Sequence, residues 1–322
     1  MLTYRKALTI PGAKHASSDC PWKITAAALA LATAAVMPPG ARANDPYPFE
    51  NSFFTSPSLK VIGLTGDGRL VRFKTSSPYR LWDIGIVKGL QGHDTALIGI
   101  DFRVQDGQLY GVGNQGGLYT INPKTAVATP VPPPIGPSLD IPLQGTVFGV
   151  DFNPAANALR IVSDTGQNLR HPFAGATPGV TVSDAGLTYV MPPNPTAPAT
   201  GVTAAAYTNN DLDASTGTSL FDIDTVNTGS ATDPQDVVAL QSPANAGSLV
   251  MTGSLGADAG PVAGFDIYSH LKKNVTVANR AFASLSVGGH YGFYRIDLLT
   301  GKAKLIGNFY DDVIDIALPL NQ

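Results

Sequence analysis

At 322 residues the chain has room for one large domain or two small ones, and single all-β domains often reach that size. Its 21 Lys and Arg nearly balance 24 Asp and Glu, a net charge of -3, which excludes a field able to recruit nucleic acid or an anionic membrane. Gly and Pro are abundant, and Glu50 is the single glutamate among the acids. Asp favours turns because its short side chain bonds nearby backbone, whereas Glu favours helices, so composition predicts an all-β protein of strands and turns.

In chain order, the first expected element is a leader. Arg5, Lys6, Lys14 and Lys23 make a basic segment, Ile24 to Met37 a short apolar run, and Ala41-Arg42-Ala43 a small-x-small cleavage site. Residues 1–43 therefore read as a signal peptide for periplasmic or secreted export, and the apolar run is too short and Ala-rich to span a bilayer comfortably. Cys20, the single cysteine, leaves with that segment, so the exported chain is expected to be free of disulfides. Residues 44–58, rich in Pro and Phe, read as a lead-in to a domain at 59–322.

From Leu59 onward short apolar runs alternate with Gly, Asn and Asp, and one phrase recurs. It stands as Ile98-Gly99-Ile100-Asp101-Phe102, Phe148-Gly149-Val150-Asp151-Phe152, Gly264-Phe265-Asp266-Ile267 and Ile314-Asp315-Ile316. A looser copy, Ala204-Ala205-Ala206-Tyr207, has alanine in place of aspartate. Strand alternation puts the large residues on one face and Gly and Asp on the other. Further strands follow each phrase, such as Gln108 to Val112 and Gly117 to Asn122, giving about four per unit of roughly forty to fifty residues, the length of a propeller blade.

The units run from Ala96 to Pro132, Val147 to Val190, Val202 to Leu255 and Val262 to Phe309. Val313 to Leu318 resembles an innermost strand without followers. Val61 to Leu64, Leu70 to Phe73 and Trp82 to Val87 resemble three outer strands without a leader. Together they predict a fifth blade built from both ends of the chain, closing the ring and removing exposed sheet edges. The expectation is a β-propeller of five four-stranded blades, with six the alternative count because the loop Asn209 to Gly217 dilutes one unit.

With these phrases in place, the chain resembles the bacterial secreted family of domain of unknown function 4394. Gly99 to Arg103, Gln108 to Val112 and Phe148 to Pro154 carry the likeness, with Arg160-Ile161-Val162-Ser163-Asp164-Thr165-Gly166-Gln167-Asn168-Leu169-Arg170 the most specific stretch. Ala205 to Asn209 and Leu220 to Asp224 add to it. The resemblance implies a propeller-like exported domain and brings neither an activity nor catalytic residues. His171-Pro172-Phe173 departs from the regular turn expected after Arg170.

Asp101, Asp151, Asp266 and Asp315 are the candidate site residues. If the recurring phrase is the innermost strand, all four approach the axis, where their carboxylates repel unless donors or a cation compensate. Two uses follow: each Asp pins backbone amides of a neighbouring strand, copied because the blade is copied, or the set binds Ca2+, which favours oxygen-rich sites. Asp211-Leu212-Asp213-Ala214-Ser215-Thr216-Gly217 with Asp222 resembles a calcium loop, but its glycine is one position late and Asp stands where a bidentate Glu belongs. Ser163 to Gly166 reads as a hairpin turn.

His93, His171, His270 and His290 lack zinc spacing, although His93-Asp94 offers an oriented base. Tyr110, Tyr119, Phe293, Tyr294 and Trp82 are expected to pack between blades rather than stack on sugars. The functional expectation is a non-catalytic, monomeric exported propeller that binds an extracellular or envelope ligand, with no nucleic acid and no membrane span after leader removal. The alternative is a calcium-dependent, lactonase-like hydrolase built on the axial aspartates.

Overall fold

The computed structural model describes residues 57–190, 197–226 and 236–322. The expected leader at 1–43 lies outside the described residues, as does the lead-in at 44–58 apart from Pro57 and Ser58. Chain order runs β1 (Lys60–Thr65), β2 (Arg69–Lys74), β3 (Ser77–Ile86), β4 (Leu97–Phe102), β5 (Leu109–Gly113), β6 (Leu118–Ile121) and β7 (Ala128–Pro130). It continues with β8 (Phe148–Asn153), β9 (Ala158–Ser163), β10 (Asn168–Pro172), β11 (Val182–Ser183), β12 (Thr188–Tyr189), β13 (Ala197–Pro198), β14 (Val202–Tyr207), β15 (Leu220–Asp224) and β16 (Val237–Gln241). After a short 3-10 turn at Ala244–Ala246 come β17 (Ser248–Ser254), β18 (Ala259–Lys272), β19 (Val275–Val287), β20 (His290–Ile296), β21 (Ala303–Asn308) and β22 (Val313–Ala317).

These strands form five sheets, the blades of a five-bladed propeller. The first blade is β22-β1-β2-β3, with Ile62 opposite Ala317 and Leu64 opposite Asp315, so the two ends of the domain close the ring as the repeat predicted. The second, third and fifth blades are β4 to β7, β8 to β11 and β18 to β21. The fourth, β14 to β17, carries two further short strands, because β12 pairs in parallel with β17 and β13 pairs with β12. Thr188 and Tyr189, expected at the end of the third unit, thus belong to the fourth sheet. Two-residue strands are too short to show a period-2 pattern, so nothing in the sequence marked them.

The recurring phrase is the innermost strand of each blade. β4, β8, β14, β18 and β22 each touch the next in a closed cycle. Between the blades lie five apolar clusters, one per seam. Phe73 packs edge to face with Phe293 and Phe309 between the fifth and first blades, and Tyr110, Phe152 and Phe173 pack the same way between the second and third. Tyr110, Tyr119, Phe293 and Tyr294 are buried as expected, whereas Trp82 is 43% exposed on β3, the outermost strand of its blade. An outermost strand has one face without a further sheet to cover it, which alternation along the chain does not reveal.

The glycines of the phrase explain its spacing. A Cβ on Gly149 would lie 2.6 Å from the Ala205 nitrogen, and one on Gly264 would lie 2.5 Å from Asp315 Cα. Inner strands approach backbone to backbone at these points, so the position two before the aspartate admits no side chain there. Among the described residues no helix is long and apolar enough to cross a membrane.

Candidate functional site

The aspartate of each phrase, two residues after a glycine in three copies and after Val313 in the fourth, points toward the axis and the neighbouring inner strand. Asp101 accepts the amide of Phe152 in the third blade at 2.8 Å, and Asp151 that of Tyr207 in the fourth at 3.0 Å. Asp266 accepts Leu318 N–H of the first blade at 2.5 Å, and Asp315 accepts Ile100 N–H of the second at 2.7 Å. Three of them also accept the amide of the following residue: Phe102, Ile267 and Ile316. Four of the five seams are therefore fastened at the axis by a carboxylate on backbone. The seam between the fourth and fifth blades is the exception, because Ala206 holds the aspartate's place.

The same geometry concentrates acid. Asp101, Asp151 and Asp266 are buried and each offers an oxygen within 4.8 Å of the others. Asp315 stands outside that triplet and keeps some accessible surface, but the ring encloses it. Burial, then the charge of Asp266, holds the Asp101 carboxyl well above the usual range, although the amides of Phe152 and Phe102 oppose the shift. Burial and the charges of Asp101 and Asp266 do the same to Asp151. Asp315 is raised chiefly by burial, and Asp266 is pushed up to about 7, again by burial, against the pull of two amides. Among the causes of these four shifts no cationic side chain appears. Each of these carboxyls therefore keeps a proton to higher pH than a surface aspartate does.

The inner strands end at a hollow of about 390 Å³. Val104 follows β4, Asn210 to Asp213 follow β14, Leu271 and Asn274 form the β18–β19 hairpin, and Leu320 and Asn321 follow β22. Loops of four blades therefore converge at one end of the axis. The loop with calcium-like spacing lines this hollow, but its side chains serve the backbone. Asp211 accepts the amides of Asp213 and Thr276 at 2.9 Å each, and Asp213 accepts Ser215 N–H at 2.8 Å. Asp222, the last member of that pattern, is instead fully buried on β15.

The histidines do not assemble a site. His93, His270 and His290 are exposed. Asp94, the partner offered for His93, accepts Tyr119 Oη at 2.7 Å and Gln115 N–H at 2.5 Å instead. His171 is fully buried, with Nδ1 2.9 Å from Thr181 Oγ1 and Nε2 3.2 Å from the Ile135 carbonyl, and burial lowers its pKa. The departure from the expected turn at His171 therefore ties β10 to the loop after the second blade. Ser163 to Gly166 is the expected turn, closed by Gly166 N–H on the Ser163 carbonyl at 2.9 Å.

Sequence reasoning missed a polar network around Arg160. This guanidinium, 2% exposed on β9, donates to Asn168 Oδ1 at 2.6 Å, Asp184 Oδ2 at 2.8 Å, Asn245 Oδ1 at 2.7 Å and Tyr207 Oη at 3.3 Å. It links the third blade to the fourth. The available signal was an arginine inside Ala-Leu-Arg-Ile-Val-Ser, an otherwise apolar strand where a buried charge needs partners.

With the ring and its axis described, comparison with known proteins places the chain. The family described as Domain of unknown function (DUF4394) matches residues 69–317. The chain belongs to that family. The family span runs from β2 to the end of β22 and so takes in all four axial aspartates. No curated protein matches the chain. Among solved structures, a Lactobacillus plantarum protein is similar at 16% identity and a TM-score of 0.34, covering 78% of this chain and 67% of that one. A Bacteroides fragilis protein provisionally named a 6-phosphogluconolactonase is similar at 14% identity and a TM-score of 0.31, covering 80% and 69%. At such scores these likenesses carry no functional argument.

Proposed function

We propose that this DUF4394 chain is an exported, monomeric propeller that binds its ligand without transforming it, at the hollow where its inner strands end. The single observation behind this reading is that hollow of about 390 Å³, a volume typical of small-molecule and short-segment sites, built by loops from four blades. Its lining mixes Leu212, Leu271 and Leu320 with the amides of Asn210, Asn274 and Asn321, which suits a ligand with apolar surface and hydrogen-bonding groups. The axial carboxylates support the non-catalytic part, since each already accepts a neighbouring blade's amide. The basic segment and apolar run at 5–37 support export to the periplasm or beyond.

A glycan and short-peptide array probed with purified chain 44–322 and with its Leu212→Arg, Asn274→Arg variant tests the reading. Binding that the variant loses, with unchanged melting, supports it. Binding retained by a folded variant moves the site elsewhere. The triplet Asp101, Asp151 and Asp266 favours a second reading, a Ca2+-dependent hydrolase, because three oxygens within 4.8 Å are a start toward a cation site. Turnover of simple lactones or esters that requires calcium and disappears in Asp101→Asn would replace the first reading with this one.

A further inference from the structure

The seam between the third and fourth blades contains buried acceptors that the axial ring does not use. On one face of the fourth sheet, Ala205, Asp222 and Ala239 form a row across β14, β15 and β16. Tyr207, Leu220, Gln241 and Leu249 form the next row on that face. Asp222 is fully buried and neither of its carboxyl oxygens has a hydrogen-bond partner. Gln241 is 2% exposed; its Nε2 donates to the Ala244 carbonyl at 2.6 Å, but its Oε1 has no partner. Three orphaned oxygens on neighbouring rows are costly, because a buried acceptor without a donor forfeits its hydration.

The third blade turns Arg160 toward this face, as its bond to Tyr207 Oη shows. Burial raises the Asp222 carboxyl well above the usual range and the Arg160 charge opposes that shift, yet no Arg160–Asp222 contact falls within 4.0 Å. A guanidinium has five N–H donors. Tyr207, Asn168, Asp184 and Asn245 take four of Arg160's, which leaves one hydrogen on Nη2. An attracted pair separated by more than a hydrogen bond, one spare donor and three spare acceptors together describe the surroundings of a bridging solvent molecule.

We propose that an internal water molecule bridges Arg160 of the third blade to Asp222 and Gln241 of the fourth. It accepts from the free Nη2 hydrogen and donates to Asp222 and to Gln241 Oε1. A divalent cation fits less well, since calcium takes six to eight oxygens and the adjacent guanidinium repels it.

A high-resolution crystal structure of the chain tests this directly. The expected result is a solvent peak about 2.7–3.2 Å from Arg160, Asp222 and Gln241 together. Direct closure of Asp222 onto Arg160, or a peak at about 2.3–2.6 Å from several oxygens as a metal would show, overturns the proposal. Oxygen-17 relaxation dispersion in solution supplies the second readout: an Asp222→Leu, Gln241→Leu variant is expected to lose one long-lived water relative to the parent. An unchanged number in the folded variant overturns the proposal, and the parent's density decides the matter whether or not that variant folds.

Discussion

The two seams on either side of the fourth blade differ most at the axis and in the middle of their sheets. Toward the fifth blade, Ala204, Ala206, Phe221, Ile223 and Val238 meet Phe265, Ile267, Ala281, Ala283 and Leu285, and Ala206 brings no carboxylate to the axis. Toward the third blade, the apolar cluster draws only Val162 from its neighbour, and Arg160, Asn168 and Asp151 bond to Asn245, the Ala244 carbonyl and Tyr207 N–H across the seam. The polar bonds of the fifth-blade seam lie off the axis, in its loops, where Asn210 Nδ2 donates to the Ile267 carbonyl at 2.9 Å and Asp211 accepts Thr276 N–H at 2.9 Å. Burial tolerates change in shape and is indifferent to protons. A polar seam is unforgiving when one partner is removed.

Acidity separates the two designs most strongly. Asp101, Asp151 and Asp315 are raised well above 3.8 and Asp266 to about 7, so between those values the native chain binds more protons than the unfolded one. Stability from these groups is fully present below the unfolded value of 3.8 and is lost as pH rises through the folded values. Each unit of separation corresponds to about 1.4 kcal/mol. Melting temperature is therefore expected to fall from pH 4 to 7. Asp266→Asn should flatten that fall, and a profile that rises over the same range would show the axial carboxyls to be ionised in the native state.

Arg160→Leu is the next largest break, at about 3 kcal/mol in urea unfolding, because it strands Asp184, whose side chain is 6% exposed. Arg170 still reaches Asp184 at 3.1 Å, which keeps the loss at the lower end. Combining it with Asp184→Leu should recover part of the stability, since an apolar replacement of both partners leaves no unpaired charge. A loss under about 0.5 kcal/mol for Arg160→Leu alone, the size typical of surface substitutions, would show the network to be dispensable.

Gly149→Ala tests how closely the third and fourth inner strands meet. Its Cβ would fall 2.6 Å from the Ala205 nitrogen and 2.7 Å from the Ala204 carbonyl carbon, both backbone atoms that cannot rotate away. About 1–3 kcal/mol of destabilisation is expected. Gly217→Ala, where the new Cβ meets nothing within 4 Å, is the matched control and should change urea unfolding by less than half as much.

Repetition decided what could be read from the chain. The phrase around Asp101, Asp151, Asp266 and Asp315 recurs, so its inner-strand position, the closure through β22 and the convergence of the carboxylates were legible in the sequence. Arg160, Asp222 and Gln241 occur once each, and their partners come from separate strands and loops, so no period connects them. The calcium-like spacing from Asp211 to Asp222, already flawed by its late glycine and missing Glu, carries no site for a related reason. Spacing along a loop says nothing once a strand carries its last member into a seam. His171 was visible only as a departure, because its partners Thr181 and Ile135 lie in segments with no regular pattern.

The smallest expected effect concerns the axis itself. Melting curves in calcium and in chelator are expected to superimpose, because the oxygens that a cation would need already accept inter-blade amides at 2.5–3.0 Å. A cation would have to share those lone pairs and compete with the protons that burial favours on the carboxyls. A bound ion at about a hundred times its dissociation constant would add about 2.7 kcal/mol, enough to move the melt by a few degrees in a domain of this size. Such a shift, abolished in Asp101→Asn, Asp151→Asn, would give the fastened seams a second agent holding them at the axis. It would also reverse the pH profile, since metal favours the ionised carboxylates that protons oppose. The seam at Ala206 would feel neither change, so the contrast between the two sides of the fourth blade would then follow calcium instead of acid.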